Sequence, residues 1–310
     1  VTGNHGQGAE TIMRAEAAYM QGRFTDADIA LERAYAQIEG NGQENMALCC
    51  DFLLRRLSLY ADVEQRYTFE ERYASLLRYH DASWINIWSA TSAYYHALRG
   101  ETDKIPEIFS QHRLDGINML VPGKPMMEII ENQVYLAQGA YAKMIGRSEG
   151  QLAVCDAMHY ALVALHIRIQ TAAAYEMLGK SEEAYKWLSR ALSDATPDGF
   201  VMPFVENYDR LQPVLAREIK SDLTAKIIEL GEAAKERKTA STHPAAFDAL
   251  TQREFEIVNL MAQRLSNREI AERLFLSEGS IKQYVNQIYS KLHIEGDTRT
   301  KRKVLIDLFS

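Results

Sequence analysis

Cysteine is scarce in this chain, and its three copies, Cys49, Cys50 and Cys155, have no metal-ligand spacing. An odd number of isolated cysteines is typical of reduced thiols in a cytoplasmic protein. No apolar run approaches the roughly 18 residues that cross a bilayer, so no membrane association is expected. No basic segment followed by an apolar one opens the sequence, so no signal peptide is expected.

Catalytic and cofactor motifs are also missing. The scattered histidines lack the His-Glu-x-x-His spacing of a zinc site, and no nucleophile-elbow motif is present. The glycines between Gly3 and Gly8 precede Ala9-Glu10 rather than Lys-Ser/Thr, so they do not form a phosphate-binding loop. The sequence therefore predicts a protein that is not an enzyme, with no metal and no cofactor.

The charge is unevenly distributed along the 310 residues, a length that favours two domains. The net charge is −7, and residues 245–310 hold ten Lys/Arg against nine Asp/Glu, which gives +1 and leaves −8 for residues 1–244. An acidic chain is not a general coat for nucleic acid. A focused basic face at the carboxyl end remains compatible with this balance.

Helix-breaking positions recur through the first two hundred residues. Gly22, the Ala61-Asp62 pair, Gly100, Gly139 and Gly179 lie roughly 40 residues apart. A period in this range predicts helical hairpins stacked into a superhelix. Runs of alternating polar and apolar residues, which would predict a sheet, are absent from the sequence, so the fold class is all-α.

Small residues recur at fixed distances from two of these glycines. Alanine lies seven residues before, five after and twelve after both Gly22 and Gly179, and leucine lies nine after. Such residues let two antiparallel helices approach closely, and the two units resemble tetratricopeptide repeats. The middle units depart from the pattern, with Ile105 and Met144 at alanine positions. We predict a tetratricopeptide-like domain over 1–237 and, because 238–247 is small, polar and Pro-containing, a linker there.

The last sixty residues carry a different pattern. Thr251-x-x-Glu254 and Ser266-x-x-Glu269 are capping boxes, which predict the starts of two helices. Ser277 caps a third, on which an apolar stripe recurs at helical spacing: Ile281, Val285, Ile288 and Leu292. The opposite side of that helix holds donors and acceptors suited to base edges and phosphates: Gly279, Lys282, Gln283, Asn286, Gln287 and Ser290.

These residues resemble the LuxR-type helix-turn-helix family. The matching segments are Leu250-Thr-Gln-Arg-Glu, Ser266-Asn-Arg-Glu-Ile-Ala, Leu276-Ser-Glu, Ile281-Lys282 and Lys291-Leu292. The resemblance implies a four-helix domain over 248–310, in which the third helix reads the major groove and a fourth, about 297–308, pairs two subunits. It also implies a set of DNA-contacting residues: Ser266, Asn267, Arg268, Ser277, Gly279, Ser280, Lys282, Gln283, Asn286, Gln287 and Lys291.

The phosphate contacts implied are those of Arg268 and of the backbone amides at Ser266-Asn267. Tyr284, Gln287 and Gly279 depart from residues common in the family, which affects the target sequence rather than docking in the groove. The Lys301-Arg302-Lys303 run has two interpretations, a DNA-steering patch or an ordinary charged helix face.

The order of the segments resembles the sensor region of the maltose-operon activator type of LuxR regulator, without its ATPase. Five aromatic residues suit a flat ligand, although packing between repeats is the preferred interpretation of them: Tyr67, Trp84, Trp88, Tyr94 and Tyr95. We therefore expect a cytoplasmic regulator that forms a homodimer on double-stranded DNA, with an array that senses a small-molecule inducer or a protein partner. The alternative is a protein-interaction scaffold whose array binds a peptide or partner protein.

Overall fold

The computed structural model describes residues 8–38, 44–63, 69–77, 82–114, 123–218, 221–240, 250–274, 276–292, 294 and 296–309. Within these ranges every regular element is helical, which confirms the all-α prediction. The chain divides into two compact units, Val1–Lys235 and Glu236–Ser310. Among the described helices, none is both long enough and apolar enough to cross a membrane.

The helices are numbered in chain order, and a 3-10 turn at Thr102–Lys104 follows the fifth of them. They are α1 Ala9–Met20, α2 Phe24–Ile38, α3 Glu44–Leu57, α4 Phe69–Leu77, α5 Ala82–Arg99, α6 Glu107–Ser110, α7 Lys124–Ala137, α8 Tyr141–Met158, α9 Ala161–Met177, α10 Ser181–Ala195, α11 Met202–Val205, α12 Tyr208–Leu215, α13 Asp222–Ala240, α14 Gln252–Ala262, α15 Asn267–Leu274, α16 Glu278–Lys291 and α17 Thr298–Phe309.

Glycines separate the helices of the first unit where the sequence predicts breaks. Gly22, Gly139 and Gly179 have φ values of 70°, 72° and 70°, in the left-handed region that ends a helix without steric cost. They lie between α1 and α2, α7 and α8, and α9 and α10, and the two helices of each pair pack against each other. The helical hairpins are therefore present, while their assignment to tetratricopeptide repeats stays a prediction.

The small residues of the repeat pattern lie where these paired helices meet. Ala15 and Ala27 are fully buried around Gly22, and Ala172 and Ala184 are fully buried around Gly179. The larger residues at the corresponding positions of the middle units are buried as well, with Met144 at 0% and Ile105 at 5% exposure. The position five residues after the glycine is thus a core position in all four units, whatever its side chain.

The amino-terminal hairpin packs against the last elements of the same unit. The backbone N–H of Val201 donates to the carbonyl of Met20 over 2.8 Å, and Gln21 Nε2 donates to the carbonyl of Asp198 over 2.9 Å. A Cβ added at Gly22 would lie 2.6 Å from Leu230 Cδ1. The turn after α1 therefore needs glycine for its backbone angle and also for the close approach of α13.

A buried polar cluster joins four segments that are remote in sequence. Glu206, with no exposed side-chain surface, accepts hydrogen bonds from the hydroxyls of Tyr19 at 2.7 Å and Tyr94 at 2.6 Å. Arg56 lies 3.9 Å from Glu206 and donates to Glu16 over 2.6 Å. Burial raises the pKa of Glu206, against the opposing effect of Arg56. We call Glu16, Tyr19, Arg56, Tyr94 and Glu206 the Glu206 cluster.

The last helix of the array runs further than the sequence predicts. Helix α13 continues to Ala240, so the first three residues of the predicted linker 238–247 are helical. Lys238 and Thr239 can lie in a helical turn because the intrinsic helix propensities of lysine and threonine oppose this only weakly. The rest of that segment lies outside the described residues.

Candidate nucleic-acid interface

Helices α14 and α15 both begin at the capping boxes that the sequence predicts. The Thr251 amide donates to the Glu254 carboxylate over 2.7 Å, and the Glu254 amide donates to the Thr251 hydroxyl over 3.3 Å. The same reciprocal bonds join Ser266 and Glu269, at 2.7 and 3.3 Å. Each box satisfies amides that a helix start leaves without intrahelical partners. Both helix starts are confirmed.

Helix α16 buries the predicted apolar stripe. Ile281 and Ile288 have no exposed surface and Val285 has 7%, while Leu292 is half-buried. Four apolar residues of α14 pack into the same core, and a fifth is half-buried: Ile257, Val258, Leu260, Met261 and Phe255. From α15, Ile270 and Ala271 join this core. Tyr289, 5% exposed, is a further core residue of α16 that the four-residue stripe omits.

The opposite side of α16 is exposed. Gly279, Lys282, Gln283, Asn286 and Gln287 are all exposed. The Ser277 hydroxyl caps the helix by accepting from the Ser280 amide over 3.0 Å, and the two hydroxyls lie 2.8 Å apart. Because Ser277 and Ser280 bind each other, their first role is to hold the start of α16. We call the five exposed residues the α16 polar face.

Lysine and arginine side chains at this surface are paired with glutamates of their own helices. Lys282 Nζ lies 3.0 Å from Glu278, and Arg268 Nε lies 3.1 Å from Glu272. All four side chains are about half exposed or more. Exposed pairs of this kind contribute little free energy, so a phosphate competes with them readily.

The start of α15 differs from the implied phosphate site. The amide and the hydroxyl of Ser266 both donate to the Glu269 carboxylate over 2.7 Å. These bonds hold the pKa of Glu269 below its usual range. An internal carboxylate thus binds the Ser266 amide, one of the two amides that the resemblance assigns to a phosphate, because a capping box and an anion site can use the same amides. Asn267, half-buried beside it, accepts from Arg302 over 3.3 Å.

Lys291 belongs to an ion pair inside the unit. Its Nζ lies 2.7 Å from Glu254 Oε2, and only 3% of the Glu254 side chain is exposed. Burial alone would raise the pKa of Glu254, but the hydrogen bonds from Lys291 and Thr251 outweigh burial and lower it. Glu254 therefore joins the end of α16 to the start of α14. The capping-box motif indicated this residue, but no sequence pattern indicated its partner 37 residues away.

The three consecutive cations of α17, Lys301, Arg302 and Lys303, have different surroundings. Lys301 Nζ lies 5.8 Å from the centre of the Tyr289 ring. Arg302 donates to the carbonyl of Leu265 as well as to Asn267. Of these three residues, Lys303 alone is exposed, while Lys301 and Arg302 are half-buried. No sequence pattern indicates the role of Arg302, which fixes the turn between α14 and α15.

The aromatic residues predicted to bind a ligand differ in their surroundings where the structure describes them. Tyr94 is 2% exposed and belongs to the Glu206 cluster, and Trp88 packs on Tyr73 with ring centres 4.5 Å apart. Tyr95 lies between Arg55 and Arg99, at 5.8 and 5.6 Å from their guanidinium carbons. Trp84 is half-buried, and Tyr67 lies outside the described residues. The contacts of Tyr94 and Trp88 are therefore those expected of residues that pack between helices.

A short scaffold helix, a turn and a capped helix with an exposed polar face define the second unit as a helix-turn-helix module. Residues 248–303 match the model of the bacterial regulatory proteins of the luxR family. The carboxyl-terminal part of this chain is therefore a luxR-family domain, as its motifs predict.

Three known regulators are each similar to part of this chain. The transcriptional regulatory protein LnrK of Bacillus subtilis is 42% identical over 50 residues, 16% of this chain and 23% of LnrK. The transcriptional regulatory protein LiaR of Bacillus subtilis is 30% identical over 138 residues, 38% of this chain and 64% of LiaR. The nitrate/nitrite response regulator protein NarP of Escherichia coli is 28% identical over 104 residues, 34% of this chain and 47% of NarP.

The chain thus spans less than two thirds of the length of each of these relatives. No solved structure matches the chain at a comparable level of significance.

Proposed function

We propose that this protein is a sequence-specific DNA-binding transcriptional regulator, in which α16 enters the major groove and the helical array senses a small ligand or a partner. The observation that carries the proposal is the α16 polar face, which is exposed while the opposite stripe of the helix fills the core. At about 1.5 Å per residue, the 14 residues of α16 extend about 21 Å, enough to present several side chains to successive bases.

The proposed contacts divide by chemistry. Lys282 and Arg268 bind phosphates, releasing Glu278 and Glu272 from their surface pairs. Gln283, Asn286 and Gln287 carry the amide groups that read base edges. Ser266, Asn267, Ser277, Ser280 and Lys291 act mainly by fixing the helices, since each is bonded within the domain.

Pairing of two copies through α17 completes the proposal. Val304 is 38% exposed on this helix, while its neighbour Leu305 is 1% exposed and packs in the core. An exposed valine on a short terminal helix supports a role in pairing subunits. Two recognition helices in a symmetric dimer would read half-sites about 34–36 Å apart.

The salt dependence of binding tests the phosphate contact. For Lys282→Ala in the full chain, we expect weaker binding to all duplexes and a log K against log salt slope that is shallower by about 1. The matched control is Lys186→Ala, which removes another exposed lysine paired with a glutamate of its own helix. An unchanged slope for Lys282→Ala, or an equal change for the control, would contradict the assignment.

Base readout requires a second measurement. With oligonucleotides selected from a random pool, Gln283→Ala or Asn286→Ala is expected to cost about 1–3 kcal/mol on the preferred sequence and little on others. A uniform loss on every sequence would show that these amides do not read bases.

A further inference from the structure

A cleft of about 550 Å³ opens within the array unit. Its walls are the turn that joins α8 to α9, the carboxyl-terminal half of α10 and the segment 197–200. This volume lies in the range of small-molecule sites in proteins, about 300–1,000 Å³. The aromatic residues predicted from sequence to bind a ligand do not line it.

One side of the cleft carries an excess of positive charge. Arg168 and Arg190 both contact Asp194, at 3.0 and 3.2 Å, so one carboxylate serves two guanidinium groups. The Arg168 side chain is only 17% exposed, and its charge is weakly screened there. A guanidinium has five N–H donors, of which the single contact to Asp194 uses few. This side suits a ligand carboxylate.

The amino end of α9 lies on the same cleft. Tyr160, at the N-cap, makes no side-chain cap hydrogen bond, and Ala161 and Leu162 follow it along the cleft wall. The first amides of a helix have no intrahelical partners and carry partial positive charge. They add to the attraction that Arg168 and Arg190 exert on an anion.

Two further carboxylates place negative charge elsewhere on the cleft wall. Asp156 and Asp198 line it, and neither makes a salt bridge with any residue that the structure describes. With Asp194, the lining holds three carboxylates against two guanidinium groups. A doubly charged phosphate is therefore disfavoured, and an uncharged ligand supplies neither a cation for Asp156 and Asp198 nor a second anion for Arg168 and Arg190. A zwitterion satisfies both.

Apolar surface is available beside these charges. Leu162 is 38% exposed, and Phe200 is half-buried at the opposite wall. Together they accommodate an aliphatic or aromatic side chain. The lining thus matches a molecule with a carboxylate, an ammonium group and an apolar substituent.

The cleft wall is also the segment that holds the amino-terminal hairpin. The Asp198 carbonyl accepts from Gln21, and Val201, adjacent to Phe200, donates to Met20. A ligand that contacts Asp198 and Phe200 therefore restrains the segment whose hydrogen bonds to Met20 and Gln21 hold the end of α1.

We propose that this cleft binds an amino acid with an apolar side chain, and that its occupancy stabilises the packing of α1 on segment 198–201. The regulatory meaning of this site rests on the proposed function, but binding itself does not require DNA. All three tryptophans, Trp84, Trp88 and Trp187, lie in the array, so their fluorescence follows unfolding of that unit alone.

The test is thermal unfolding of the full chain, without DNA, at increasing concentrations of L-leucine or L-phenylalanine. We expect a melting temperature that rises with the logarithm of concentration for at least one of them. N-acetyl-L-leucine and L-leucinamide each lack one of the two charges and are expected to bind at least tenfold more weakly. Equal effects of these derivatives, or of glucose or inorganic phosphate, would overturn the zwitterion assignment, as would no effect of either amino acid.

Two variants locate the site. Arg168→Met and Asp198→Asn are each expected to weaken binding at least tenfold, and the second keeps the shape of an exposed side chain, so it is expected to fold. Arg14→Met, which removes an exposed arginine paired on α1, is the control. Unchanged binding by the Asp198 variant would place the ligand elsewhere. Because the readout involves no DNA, failure here is distinguishable from failure of the DNA-binding proposal.

Discussion

The Glu206 cluster is predicted to supply a large part of the array's stability, and Glu206→Ala tests this. The substitution removes the acceptor of the Tyr19 and Tyr94 hydroxyls and one of the two carboxylates near Arg56. Hydrogen bonds to a charged group contribute about 1.5–3 kcal/mol each, so two bonds correspond to about 3–6 kcal/mol. As an independent figure, removing one partner of a buried ion pair, here Arg56–Glu206, costs about 3–5 kcal/mol of stability. We expect a loss of about 4 kcal/mol.

Urea unfolding followed by tryptophan fluorescence measures this loss in the array alone, because the second unit has no tryptophan. With a slope near 3 kcal/mol/M, the midpoint is expected to fall by about 1–2 M. Glu206→Gln keeps the shape of the side chain and one acceptor, so its urea midpoint is expected to lie between those of Glu206→Ala and the wild type. Hydrogen exchange in α1 is expected to accelerate, since the cluster holds Tyr19.

The matched control is Glu182→Ala. Glu182 is 78% exposed and pairs with Arg217 at 2.7 Å, so its removal is expected to cost less than about 1 kcal/mol. If Glu206→Ala cost no more than this control, or left exchange in α1 unchanged, the cluster would not hold the amino-terminal hairpin in place.

Three further perturbations have defined outcomes. Burial and, to a smaller extent, the charge of Arg56 lower the pKa of His166 to about 3. As pH falls below about 6.5, His166 is therefore protonated in the unfolded chain but stays neutral in the folded one. The free energy of unfolding therefore falls as pH decreases from about 6.5 toward 3, and the decrease reaches about 2 kcal/mol at pH 5. In urea unfolding, His166→Gln should not show this decrease. Glu254→Gln should destabilise the second unit by about 1–3 kcal/mol, measured by hydrogen exchange in α14, with the difference vanishing in acid as the wild-type carboxylate protonates. Gly279→Ala should stabilise α16 by less than about 1 kcal/mol, the value for a helix interior, since Gly279 lies in the first turn and its added Cβ would meet only Ser277 Oγ at 3.7 Å. Unchanged DNA affinity in a filter-binding assay would show that Gly279 makes no close approach to the duplex.

Local patterns predicted the helix-turn-helix unit well. The capping boxes of Thr251 and Ser266 and the buried residues of α16 follow from spacing within one or two helical turns. Such information is carried by residues that are close in sequence, because helix periodicity and caps are local properties. The same holds for the hairpins, whose turns glycine marks through its backbone angle.

Contacts between distant segments could not be predicted in this way. Glu206 follows a short apolar segment and looks like a solvated residue, yet its hydroxyl partners lie 187 and 112 residues away. Tyr94 was assigned to ligand binding because sequence shows an aromatic ring but not the carboxylate that binds it. Gly231 in α13 gave no signal, although an added Cβ there would lie 2.3 Å from the Tyr208 ring.

The basic run of α17 shows how a one-dimensional pattern differs from a surface. Successive residues on a helix are rotated by about 100°, so Lys301, Arg302 and Lys303 spread around the axis and do not form a patch. Lys301 lies near an aromatic ring, and Arg302 fixes the turn before α15, which leaves Lys303 exposed. Of the ten Lys/Arg residues in 245–310, Lys282 and Arg268 are the two proposed to contact phosphates. With so few phosphate contacts, binding by this domain is expected to depend weakly on salt, and its selectivity then rests on the amides of α16.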